Sequence, residues 1–295
     1  MGTRLTGSER AYQIFITVLI VLVSVASILP LIYVVSTSLV SQKEYIERGG
    51  FIFIPYEPTL EPYRQLISQP NFFIAFLIST ARTVAGSLLM LALTVIAAYT
   101  LSRKDIPGKK VMVWSVLVTI LFSAGLIPNY LVVQQLGLTD TFWAMIVPGA
   151  IDSWSVLVLK QFYENVPQEV EESAVMDGAS QLQMIARIML PLSLPVLAAL
   201  GLFAAVGHWN AWFDAFIYIT DARLHPLQLY IHNLFVSTSP TGLVGGNLSI
   251  NPAYRVSDET MKMALVVAGT VPILCIYPFL QKYFVKGMYL GAVKG

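Results

Sequence analysis

Residues 11–39 read AYQIFITVLIVLVSVASILPLIYVVSTSL, and no charged side chain lies between Arg10 and Lys43. A bilayer core about 30 Å thick needs roughly 20 apolar residues of helix at about 1.5 Å of rise each. This run is long enough to cross with residues to spare. It is also about twice the length of a signal-peptide core and lacks a small-residue cleavage pattern, so it is expected to stay in the mature chain as a helix.

Five further stretches have the same character: about 72–101, 111–134, 141–159, 191–220 and 263–284. The predicted fold class is an all-α integral membrane protein, one transmembrane domain over 1–295 with six transmembrane helices. Composition agrees. Of the 295 residues 56% are hydrophobic and 12% charged, where soluble domains carry about a quarter charged residues. A net charge of +1 gives no reason to expect nucleic acid as a partner. Cys275 is the single cysteine, so no intramolecular disulfide can form.

Basic residues orient the spans. With the N-terminus inside, Arg4, Arg10, Arg103, Lys104, Lys109, Lys110, Lys160, Arg187, Lys282, Lys286 and Lys294 fall on the cytoplasmic side. Lys43, Arg48, Arg64, Arg223, Arg255 and Lys262 fall outside, and Arg82 lies within a span. Both termini are therefore expected in the cytoplasm. Three connections are long: about 40–71 and 221–262 outside, and 160–190 inside.

The inner connection and the first residues of the fifth span read ENVPQEVEESAVMDGASQLQMIARIMLPLSLP over residues 164–195. Pro167 and Glu169 suit a first helical turn, Gly178 a helix-ending left-handed residue, and Ser180 with Gln183 a capping box. Pro191 is expected to end the second helix where the next span begins. The pattern predicts two short amphipathic helices joined at a glycine. Between residues 161 and 186 stand five acids (Glu164, Glu169, Glu171, Glu172 and Asp177) and no base. An anionic lipid surface repels such a patch. It reads either as a solvated helix face or as a docking surface for a soluble partner that brings positive charge.

Glu172-Ser173-Ala174, then Asp177-Gly178-Ala179, then Pro191 and Pro195 resemble the EAA loop of binding-protein-dependent ABC importer permeases. Ser173 departs from the middle alanine, one small residue for another. The resemblance covers essentially the whole chain. Ala97-Ala98-Tyr99 with Ser102-Arg103, Leu136-Gly137-Leu138 with Asp140-Thr141, His208-Trp209-Asn210 and the ending Gly291-Ala292-Val293-Lys294-Gly295 are similar to the carbohydrate-uptake branch, MalG-type subunit, and within it to the LplC/YtcP-like subgroup.

The resemblance implies an assembly of this subunit with a second homologous permease, two ATPase subunits, an extracytoplasmic solute-binding protein and a saccharide, in a bacterial inner membrane. It implies no cofactor in this chain, with ATP and Mg held by the ATPases. It implies that Glu169, Glu172, Ser173, Ala174, Asp177, Gly178 and Ala179 couple to the ATPase, Glu172 pairing with a basic group there and Gly178 giving the bend. The last outer loop, with His232, Gly242, Gly245, Gly246 and Asn247, is implied to reach the binding protein. The substrate class implied is an oligosaccharide, with an acidic one such as an alginate oligosaccharide among the candidates.

Polar residues within the spans are the pathway candidates. Arg82 and Asp152 lie at similar depth, and read as a structural ion pair, as separate charges facing a cavity, or with Arg82 attracting an anionic substrate. In span five His208, Trp209, Asn210, Trp212 and Asp214 cluster, and helical spacing places Asn210, Asp214 and Tyr218 on one face. Aromatic belts also collect at membrane interfaces, so packing is the competing reading. No G-x-x-x-x-G-K-[ST] loop and no H-E-x-x-H occurs, which excludes the ATPase itself and argues against a membrane enzyme. An ion-coupled secondary transporter and a non-transporting scaffold subunit are the alternatives; the first has no use for an ATPase-docking loop, and the second leaves the midplane charges unexplained.

Overall fold

The computed structural model describes residues 7–237 and 259–292, with Gln42 and 277–292 described by backbone alone. All regular structure among the described residues is helical. In chain order, α1 is Gly7–Ser38, α2 Gln42–Glu47, α3 Glu61–Ile67, α4 Pro70–Ser102, α5 Lys109–Leu121, α6 Leu126–Gln135 and α7 Ser153–Glu164. There follow α8 Gln168–Met176, α9 Gln181–Met184, a π turn at Ile185–Met189, α10 Leu190–Asn210, α11 Phe213–Tyr218, α12 Leu227–Ser237 and α13 Glu259–Ala292.

The chain divides into two units, one from Met1–Pro70 and Asn233–Thr270, the other from Asn71–His232 and Val271–Gly295. In the first, the apolar side chains of α1 stay uncovered along nearly its whole length. A bilayer makes that arrangement stable, since its backbone groups are satisfied within the helix and its side chains meet lipid. The far end of α1 is anchored. Tyr33 donates to the Gly50 carbonyl (2.9 Å) and Ser36 to that of Phe53 (2.6 Å), and the Ser38 and Tyr63 hydroxyls lie 2.7 Å apart. The 40–71 connection is thus a structured cap. Within it Glu44 accepts from the backbone N–H of Tyr56 (3.0 Å) and from Arg48 (2.9 Å). The Tyr56 hydrogen bond is the largest influence lowering its pKa. Burial is the main influence pushing the Tyr45 hydroxyl up to about 12.

The second unit contains the corrections to the predicted spans. Residues 111–134 are not one helix: α5 and α6 meet at 117°. Phe122 is extended and Gly125 takes φ +86° with ψ 178°, a conformation open to glycine alone. Residues 141–159 are also broken, with 3₁₀ turns at Phe142–Met145 and Val147–Gly149 and a 47° bend before α7. Among the described residues four helices are long and apolar enough to cross unbroken, and up to six spans result when each bent pair counts as one.

The fifth span starts earlier and stops sooner than predicted. A continuous helix runs over Gln181–Asn210, so the second arm of the inner loop does not end at Pro191 but passes through the π turn into the span. Pro191 cannot donate to the preceding turn, and it stands directly after that widened turn. At the other end the helix stops at Asn210. Ala211 is extended, and α11 starts afresh at Phe213. The single face through Asn210, Asp214 and Tyr218 therefore does not exist.

Where α4, α7, α8 and the Gln181–Asn210 helix meet, Ala98, Tyr99, Leu159, Ala174, Met184, Met189 and Leu200 form a buried core. Towards the other end Val133, Met145, Ala215, Ile219 and Leu229 form a second. Ser79 on α4 accepts from the Leu227 N–H (2.7 Å) and so holds the start of α12.

Candidate functional site

Two places combine unusual geometry with polar side chains. The first is the bent inner loop. Gly178 adopts φ +78° with open space where a Cβ would stand, so backbone conformation and not crowding demands glycine. Its N–H donates to Val175 O (3.0 Å) and that of Ala179 to Ala174 O (2.9 Å), closing α8. The predicted capping box is present in full, with Gln183 N–H on the Ser180 hydroxyl (3.3 Å) and Ser180 N–H on the Gln183 side chain (2.8 Å). Ala174 faces the core. Ser173 is exposed and its hydroxyl donates to Val170 O (3.1 Å), so serine here leaves no group unsatisfied.

The five acids are not equivalent. Arg103 donates to Glu171 (2.8 Å), while Lys109 (2.9 Å) and Lys160 (2.7 Å) both hold Glu164. Burial works to raise the Glu164 pKa, yet the hydrogen bonds and charges of Lys160 and Lys109 outweigh it and hold the carboxyl below its usual range. Glu169, Glu172 and Asp177 have no ion-pair partner among the described residues. Beside them Met176 and Leu182 are 86% and 79% exposed. Apolar side chains bared between unpaired acids make a surface suited to another protein.

The second place is a cavity of about 490 Å³ lined by Arg82, Asp152, Trp154, His208, Asp214 and Tyr218 among others. Arg82 is 2% exposed. It forms an ion pair with Asp214 and donates to Ala211 O (3.0 Å), the carbonyl freed by the break in span five. Of the readings open for Arg82 and Asp152, the ion pair between them is not formed, and the two face the cavity separately. Asp152 instead caps α7, accepting from the N–H of Ser155 (2.9 Å) and from its hydroxyl, because the bend before α7 leaves that N–H without a helical partner. Trp154 lies edge-on to Phe203 (6.1 Å). His208 packs against α4 at Gly86, where a Cβ would come within 2.4 Å of its Nε2.

Of the span-five candidates, His208 and Asp214 face the cavity and the others do not. Trp209 is buried against Phe76 (5.7 Å). Asn210 donates to Val206 O in its own helix (2.9 Å). Trp212 stacks on His232 (4.1 Å), which turns that histidine inward. Gly242, Gly245, Gly246 and Asn247 lie outside the described residues. Trp154 is a cavity residue that hydropathy and charge did not single out, although an aromatic two residues after an intramembrane Asp is a visible signal.

Apolar helices bared to lipid, two spans broken around a polar cavity and a bent acidic loop beyond the bundle define a membrane transport subunit. No family model matches the chain. It is 40% identical to protein LplC of Bacillus subtilis (strain 168), over 92% of this chain and 91% of that protein. It is 37% identical to the polygalacturonan/rhamnogalacturonan transport system permease protein YtcP of the same organism, over 97% and 99%. Among solved structures, it matches a bacterial ABC transporter involved in the import of the acidic polysaccharide alginate, with TM-score 0.86 and 28% identity over 96% of this chain and 100% of that one. The chain belongs to the sugar ABC transporter permeases and is an importer permease.

Proposed function

We propose that this permease forms half of the membrane pathway for an oligosaccharide and that ATPase motion enters it through the bent loop. The observation that carries this reading is the Gly178 bend, flanked by Glu169, Glu172 and Asp177, which have no ion-pair partner among the described residues, and by bared Met176 and Leu182. Ser173, Ala174 and Ala179 shape the surface between them. Basic groups on an ATPase subunit supply the missing charge. The assembly comprises a second homologous permease, two ATPase subunits that hold ATP and Mg, and an extracytoplasmic binding protein. The loop and both termini lie in the cytoplasm, with the whole chain one transmembrane domain of a bacterial inner membrane. The outer loop bearing His232, Gly242, Gly245, Gly246 and Asn247 approaches the binding protein. Pull-down of the ATPase subunits tests this: Glu172→Lys should abolish capture, and undiminished capture would count against docking at this loop.

The cargo we propose is an acidic oligosaccharide. Support comes from the alginate importer and from the relative named for polygalacturonan and rhamnogalacturonan. Arg82 is compensated by Asp214, and Asp152 carries no cationic partner among the described residues, so recognition of the cargo's carboxylates falls to other parts of the transporter. Asp152, Trp154 and His208 would meet hydroxyls and ring faces. Uptake of an oligogalacturonide against a neutral oligosaccharide of equal length distinguishes the two classes, and preference for the neutral sugar would overturn this assignment.

A further inference from the structure

The bent loop is fastened to α4 at two points, one on either side of Gly178. Arg103, just past the last turn of α4, donates from Nη1 to Glu171 on α8 (2.8 Å). Tyr99, one turn earlier, donates to the Gln181 side chain (2.7 Å) at the start of the second arm. The two anchors support each other, for the Arg103 guanidinium lies 5.9 Å from the Tyr99 ring centroid. Asp105 holds Arg103 from the other side (3.2 Å). The Tyr99 ring is itself fixed, 4% exposed and edge-on to Tyr163 (6.3 Å). Tyr99 is buried and the Arg103 and Glu171 side chains are only 21% and 27% exposed, while Gln181 stands at the surface, so the buried ring and the charge-assisted pair fix the geometry.

Further back along the same helix, about 25 Å away at about 1.5 Å per residue, Arg82 in its interior grips the break in span five through Ala211 and Asp214. Between Arg82 and Tyr99 the helix contains no proline and runs unbroken through its Gly86-Ser87 step. The loop also continues directly into span five, but that route passes through a π turn and Pro195, features at which helices bend. Of the two routes from loop to cavity, α4 is the stiffer.

We infer that Arg103 and Tyr99 are positioning residues that pass the displacement of the docking loop to α4, whose Arg82 turn then moves the Ala211–Asp214 break beside the cavity. This rests on the docking reading of the loop. Coupling thus enters the membrane by two helices, and the α4 route is the one that reaches the cavity without a yielding turn.

The test uses the complete transporter in proteoliposomes and reads saccharide imported per ATP hydrolysed, with ATPase capture measured in parallel. Arg103→Glu and Glu171→Arg should each lower the ratio about 5- to 20-fold. The reversed pair carrying both changes should return to within about 3-fold of the unaltered transporter. Tyr99→Phe keeps the ring in the core, removes the hydroxyl's bond to Gln181 and its longer one from Arg103 (3.5 Å), and should lower the ratio about 2- to 5-fold. It decides the matter where the charge variants do not assemble. An unaltered ratio in Tyr99→Phe, or an assembled reversed pair that stays as uncoupled as the single variants, overturns the inference. Failure of the docking reading is separately visible, as ATPase capture that survives Glu172→Lys.

Discussion

Arg82 is paired with Asp214 across the break in span five, and not with Asp152, which shares its depth in the sequence. One guanidinium thereby satisfies both an unwound backbone carbonyl and a carboxylate. Its charge is compensated by Asp214 at the break.

Arg82→Ala should therefore lower uptake of acidic and neutral saccharides by the same factor. Removing one partner of a buried pair is strongly destabilising. With Asp214 30% exposed, the loss expected is about 2–3 kcal/mol. Thermal unfolding in detergent measures it, and the double variant Arg82→Ala/Asp214→Ala should be more stable than Arg82→Ala alone. Selective loss of acidic uptake would return Arg82 to the role of anion receptor.

Gly86 is the place where α4 and the His208 ring touch. A Cβ there would overlap the imidazole at 2.4–2.8 Å, and the ring is the far end of a side chain that must swing into the cavity. Gly86→Ala should destabilise by about 1–3 kcal/mol and narrow the cavity. Adding His208→Ala should restore stability, and the melting temperatures of the three variants check this.

Glu164 ties α7 to Lys109 next to the loop, and its pKa in the folded protein lies below the ordinary 4.5. For a depressed carboxyl the stabilisation is complete above the unfolded value and is lost as pH falls through the folded one. Glu164→Gln should thus lower the melting temperature at neutral pH, by an amount corresponding to roughly 1 kcal/mol or less for this partly exposed pair. The gap to the unaltered protein should close as pH falls below 4.5 and onward. A gap independent of pH would show that shape and not charge carries the effect.

Gly178 needs its left-handed backbone but has free space around it. Gly178→Asn should be nearly neutral, while Gly178→Val should cost about 1–2 kcal/mol locally and unbend the loop. ATPase capture should follow that order. Equal capture by both variants would show that the bend is not what the ATPase reads.

Local signals in the sequence were legible where a single residue dictates backbone. Gly178, Ser180 with Gln183, and the apolar run of α1 each specify their structure through contacts a few residues away. The breaks in spans three to five were not legible, because hydropathy reports what lipid tolerates and not where a helix stops. Gly125 and Asp152 looked like residues within spans, yet one supplies a non-helical turn and the other a cap. Long-range pairing was hidden as well. Arg82 and Asp214 are separated by 132 positions, and the choice of Asp214 over Asp152 depends on the break at Ala211. The acids of the inner loop looked uniformly unpaired because Arg103, just past α4, and Lys109, the first residue of α5, which pair with two of them, lie 68 and 55 positions away in sequence.

The central claim is that ATPase motion drives this permease through the Gly178 loop. The most direct measurement is saccharide uptake into proteoliposomes holding this chain, its partner permease, the ATPase subunits and the binding protein, with and without ATP. The account predicts uptake that requires ATP and is lost in Gly178→Val and Glu172→Lys. Uptake driven by an ion gradient without the ATPase subunits, or undiminished in both variants, would contradict it.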